Sequence, residues 1–118
     1  MRDGIRLFNE GQFFECHEVL EISYQEADDA NRPFLEGLIQ LAAAYRLFSD
    51  FDEVKGPVRM IYQALIRFEN YQPAFLQIRV KELCQAAEAW AKAAEARGAK
   101  PVPLPIPKIQ LQRPGFFS

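Results

Sequence analysis

The sequence predicts an all-α fold: a compact single-domain bundle of about five helices with an extended proline-rich C-terminal tail. Three observations carry this. Apolar residues recur at the 3.6-residue helical period in successive stretches. Glycine, proline and short polar clusters separate those stretches at helix-length intervals. After Lys100, proline takes every second position from Pro101 to Pro107, which forbids helix and enforces an extended, polyproline-like chain.

The elements follow in order. Asp3 is the expected N-cap of a short first helix ending near Glu10. Gly11 reads as its stop, and a second helix is expected over residues 12–28. The polar run 28–31 breaks it. Arg32 and Pro33 open the third helix, with proline at the first helical position. Residues 34–48 are apolar nearly all round, the mark of a helix surrounded by others. Small residues near Gly37, Ala43 and Ala44 let a neighbouring backbone come close. Residues 49–52 read as a connection, with Asp52 capping a fourth helix over 53–70. Its stripe is Val58, Ile61, Tyr62, Leu65 and Phe68. Residues 71–78 admit either a helix from Pro73 or a loop. A fifth helix is firm from Val80 and stops at Gly98.

A chain of 118 residues forms one domain, and 49% apolar residues supply a real core. Residues 1–100 are assigned to the bundle and 101–118 to the tail. The tail carries Val102, Leu104, Ile106, Ile109, Leu111, Phe116 and Phe117, so it is expected to pack on the bundle or on a neighbouring subunit. The formal charge of −2 gives no basic footprint and argues against nucleic acid as a partner. Cys16 and Cys84 are far apart at apolar helical positions and read as buried free thiols. No apolar run reaches membrane-span length, and Met1 leads straight into an amphipathic helix. The expectation is a cytoplasmic protein without membrane contact.

Chemistry concentrates in residues 8–24, F-N-E-G-Q-F-F-E-C-H-E-V-L-E-I-S-Y, which hold the single histidine. At about 100° per residue, Phe13, Phe14, Cys16, His17, Leu20, Glu21 and Tyr24 share one arc of about 160°. His17 and Glu21 thus fall on an apolar face one turn apart, where ionisable groups need partners. H-E-V-L-E is close to the zinc-protease pattern H-E-x-x-H but lacks its second histidine. A metal site would need His17 and Glu21 joined by Glu36. Neither metal nor cofactor is expected from so small a set. No nucleophile triad, phosphate loop or dinucleotide fingerprint occurs.

The pattern F-N-x-G-x-F-F-E-x-H-E-x-x-E is formed by Phe8, Asn9, Gly11, Phe13, Phe14, Glu15, His17, Glu18 and Glu21. F-L-x-G-L-I-Q-L-A-A-A follows, from Phe34 through Gly37 and Gln40 to Ala44. Together they resemble the family known as domain of unknown function 309, over about the first seventy residues. The resemblance implies a compact helical bundle and brings no assigned activity. Departures from the family pattern are Tyr24 in place of tryptophan, Glu36 in place of glutamine, Pro57 in place of alanine, and no histidine near Arg46.

Two functional readings stay open. One is a non-catalytic helical module that binds a protein partner or a second copy of itself, with His17, Glu18, Glu21, Glu36 and Gln40 as the candidate polar cluster. The other is a metal-dependent hydrolase or small-ligand-binding protein built on His17, Glu18 and Glu21. An antiparallel pairing of helices two and three sets Tyr24 against Glu36, Glu21 against Gln40, and His17 against Ala43 and Ala44. On that register His17, Glu21 and Gln40 are expected to form a buried hydrogen-bonded network that fixes helix packing.

Overall fold

A computed structural model describes residues 1–112. Phe116 and Phe117 lie outside the described residues. The chain forms α1 (Arg2–Asn9), α2 (Phe13–Glu26), α3 (Arg32–Phe51), α4 (Lys55–Phe68), a 3-10 turn (Glu69–Tyr71) and α5 (Val80–Arg97). Each helix packs on the next in chain order. The all-α, five-helix bundle expected from the periodicity is the fold observed.

Glycine and proline act where their backbone chemistry requires. Gly11 takes φ +78°, and the amides of Gly11 and Gln12 bond back to the carbonyls of Phe8 and Leu7, closing α1. Gly98 takes φ +59° after α5. Pro57 is the third residue of α4, where its missing N–H falls among groups that have no partner within the helix anyway. Gly37 has a packing reason: a Cβ built there would lie 2.6 Å from the Phe68 ring, so the glycine seats α4 against α3.

Several boundaries move. Met1, not Asp3, is the N-cap position of α1, and Asp3 lies in the first turn, where its charge suits the helix dipole. The second helix ends at Glu26 rather than at 28. The third does not stop at Phe48. It continues through Ser49 and Asp50 to Phe51, helped by an Arg46–Asp50 contact one turn apart (3.5 Å). Asp52 caps nothing in α4. It adopts the left-handed conformation (φ 54°) and ends α3, its amide bonding to Phe48 and that of Glu53 to Leu47. α4 therefore starts at Lys55 after Val54. Pro73 starts no helix: it follows a cis peptide bond, and Phe75 pairs with Ile78 around a tight turn with Leu76 and Gln77 at positive φ.

Two aromatic groups fill the interior. Phe34 meets Phe68, Tyr71 and Phe75 at ring separations of 5.3, 5.2 and 5.0 Å. At the other end, Tyr45 meets Phe8 (5.8 Å), Phe13 (5.9 Å) and Trp90 (5.1 Å). Of these pairs, the edge-on ones (Phe34–Phe75, Tyr45–Phe8 and Tyr45–Trp90) add about 0.5–1.5 kcal/mol each beyond area burial.

The tail runs antiparallel to α5 and ties it to α1. Arg97 donates to the Val102 carbonyl (3.0 Å) and Trp90 Nε1 to that of Leu104 (3.4 Å). The Asn9 side chain then grips both backbone groups of Ile109: its Nδ2 donates to the carbonyl (3.0 Å), and its Oδ1 accepts from the amide (2.7 Å). The amide of Arg79 donates to the Gln110 carbonyl (2.9 Å), and Ile78 bridges to Leu111. Ile109 is buried, and Leu104 and Ile106 pack half-buried on the core.

Candidate functional site

The site is built on the outward side of α2 and the C-terminal half of α3. Only Phe13, Cys16 and Leu20 of α2 are fully buried. α1 covers Cys16 and Leu20 closely. The Cys16 thiol donates to the Gly4 carbonyl (3.1 Å), and a Cβ at Gly4 would lie 2.8 Å from Leu20. The buried stripe is thus narrower than the arc drawn from the sequence. Phe14, His17 and Glu21 lie at its edge, beside α3. Phe14 is 43% exposed, and the His17 and Glu21 side chains are 37% and 46% exposed.

The expected buried network does not form. His17 Nε2 stands 3.7 Å from Glu21 Oε1, a loose pair at the surface that is ionic only when the imidazole is protonated. Gln40 turns away from Glu21 and donates to Gln63 Oε1 of α4 (2.7 Å). Glu18 is exposed. The helix pairing is nonetheless antiparallel in the expected register near the turn, because the Tyr24 hydroxyl reaches Glu36 (3.4 Å). Glu36 also accepts from Arg67 Nε of α4 (3.1 Å). Among the described residues no polar or charged residue is fully buried. The five candidates therefore divide. His17, Glu18 and Glu21 share α2, while Glu36 and Gln40 sit on the seam between α3 and α4, each held by an α4 side chain.

The same division separates the three residues that a metal would have required. Glu36 is held by Arg67 and Tyr24 rather than turned toward His17 and Glu21. Among the described residues no group of three histidine, cysteine or acidic side chains is gathered to hold an ion. Both cysteines are free and buried. Burial pushes the Cys16 thiol up to about 12 against a hydrogen bond that lowers it, and pushes Cys84 up to about 11. Neither is a nucleophile near neutral pH, because the thiolate is the reactive form.

What the sequence did not point to is the setting of Phe14. The Arg46 guanidinium lies over its ring at 4.5 Å and over the Phe51 ring at 5.7 Å. Arg46 thus stands between two exposed aromatics, Phe51 being 59% exposed, with Asp50 beside it. Such cation–ring contacts are worth about 0.5–1 kcal/mol at exposed sites. The only signal in the sequence was the i, i+4 spacing of Arg46 and Asp50. Phe51 was hidden because it was assigned to a connection. The result is a surface of two aromatics, one arginine, one imidazole and nearby carboxylates. It offers rings and hydrogen-bonding groups for contact.

Among the described residues no helix is long and apolar enough to cross a membrane. No curated protein and no solved structure matches the chain. The model of one family, described as a domain of unknown function (DUF309), matches residues 1–59, half of the 118. The matched segment holds α1, α2 and α3, with Phe14, His17, Glu21, Arg46 and Phe51 all inside it. By this match, the chain belongs to the DUF309 family.

Proposed function

We propose that this chain is a non-catalytic binding module whose α2–α3 face holds a protein partner or a second copy of the chain. The observation that carries this reading is the placement of Phe14, Arg46 and Phe51 together on the surface, beside His17 and Glu21. Exposed aromatics and arginine are the side chains that most often dominate protein–protein binding energy. The arginine held between two rings is preorganised, so little is lost in ordering it on contact. Glu18 extends the polar rim on α2, and Glu36 and Gln40 extend it toward α4.

The test is affinity capture from cells that make the protein, with light scattering on the purified chain. The wild type is expected to retain at least one protein, or to self-associate. F14A/R46A should weaken that association at least tenfold while melting within a few degrees of wild type. A wild-type chain that is monomeric and retains nothing, or a variant that retains the same protein equally well, overturns the proposal.

A further inference from the structure

A second feature lies between the first half of α4 and the end of α5. Val54, α4 and the end of α5 enclose an open cleft of about 740 Å³. That is within the range of about 300–1,000 Å³ typical of small-molecule sites. α4 presents Lys55, Val58, Arg59 and Tyr62 to it, spaced at i, i+3, i+4 and i+7 and so on one helix face. Val54, Val58 and the Tyr62 ring give it an apolar wall.

The charges in the cleft are unequally engaged. Arg97 is 11% exposed, stacks on Phe48 at 5.2 Å, donates to the tail backbone and stands 3.9 Å from Asp52. Glu95 accepts from the Tyr62 hydroxyl (3.1 Å). Lys55 and Arg59 are exposed, and among the described residues neither pairs with a carboxylate. Two unengaged cations one turn apart, next to an apolar wall, suit a ligand with one anionic head and one apolar body. A simple anion leaves the wall unused, and a cation meets repulsion from both side chains.

We propose that this cleft binds a small amphipathic anion, its head between Lys55 and Arg59 and its body on Val54, Val58 and Tyr62. A carboxylate or a phosphate monoester supplies the same charge, and the two are separated by experiment. The full chain is titrated calorimetrically with decanoate and with decyl phosphate, below their micelle concentrations. Decyltrimethylammonium, acetate and inorganic phosphate are the controls. At least one amphipathic anion is expected to bind with a submillimolar Kd, at least tenfold tighter than every control, and the tighter of the two identifies the head group. K55E/R59E should lose at least tenfold, whereas F14A/R46A should bind as wild type. In the wild type, the methyl resonances of Val54 and Val58 should shift on titration, a readout independent of any variant. No binding, equal binding of the cationic analogue, or undiminished binding by K55E/R59E overturns the proposal. So do bound anions that leave the Val54 and Val58 methyls unmoved.

Discussion

Single residues decide how closely these helices approach. Gly37 is the clearest case, since any side chain there meets the Phe68 ring, itself fully buried. Gly37→Ala is expected to destabilise the chain by about 1–3 kcal/mol through overpacking. A denaturant midpoint equal to wild type would show that α4 shifts freely. Tyr45 makes the opposite case. Its hydroxyl is buried beside the Phe8, Phe13 and Trp90 rings with no hydrogen-bond partner among the described residues. An unpaired buried hydroxyl costs about 1–3 kcal/mol. Tyr45→Phe should therefore leave stability unchanged or raise it, as read by thermal melting. A clear loss would reveal a bonded partner for that hydroxyl.

Among the elements, the tail depends most on a single side chain. Asn9 imitates a strand partner by offering one donor and one acceptor to Ile109, and so joins residues a hundred positions apart. Asn9→Ala leaves the Ile109 amide and carbonyl without those partners and is expected to cost about 1–3 kcal/mol. Hydrogen exchange at the Ile109 amide should quicken first. Cutting the chain after Lys100 removes Leu104, Ile106 and Ile109 from the core and should lower the melting temperature further. A truncated chain that melts with wild type would mean that the strap contributes nothing to the bundle.

Element ends written in local chemistry were legible in advance. Gly11 and Gly98 supply positive φ, and Pro33 opens α3. Ends imposed by distant contacts were not. Asp52 takes a conformation usually left to glycine, and Leu76 and Gln77 do so to pair Phe75 with Ile78, which Leu111 of the tail in turn engages. At the site, periodicity told which α2 residues share a face, but not how far α1 and α3 would cover it. His17 and Glu21 consequently lie at the surface, and Arg46 covers part of Phe14 from a neighbouring helix that no local pattern ties to it.

At the scale of the whole molecule, no charged residue is buried among the described residues. Burial pushes the Cys16 thiol up to about 12 and the Cys84 thiol up to about 11, from an ordinary value of 9.0. The folded state thus binds protons that the unfolded chain releases. Their protonated burial is tolerated fully below about pH 9, and stability falls above it at up to about 1.4 kcal/mol per pH unit for each thiol. Burial raises the Tyr45 phenol as well, and it acts in the same direction at higher pH. Denaturant midpoints measured from pH 8 to 10.5 should fall steadily beyond pH 9. Replacing both cysteines by alanine should flatten that fall, whatever its effect on stability at neutral pH.

If the α2–α3 face serves contact, then its histidine is not needed for folding. The direct measurement is the unfolding free energy of His17→Ala against wild type at neutral pH, by urea titration with each slope fitted freely. A partly exposed imidazole with one loose carboxylate neighbour should cost within about 0.5 kcal/mol. A loss of about 1–3 kcal/mol would contradict this. It would mean that His17 holds the helices together, and that its place in the motif reflects the fold rather than a partner.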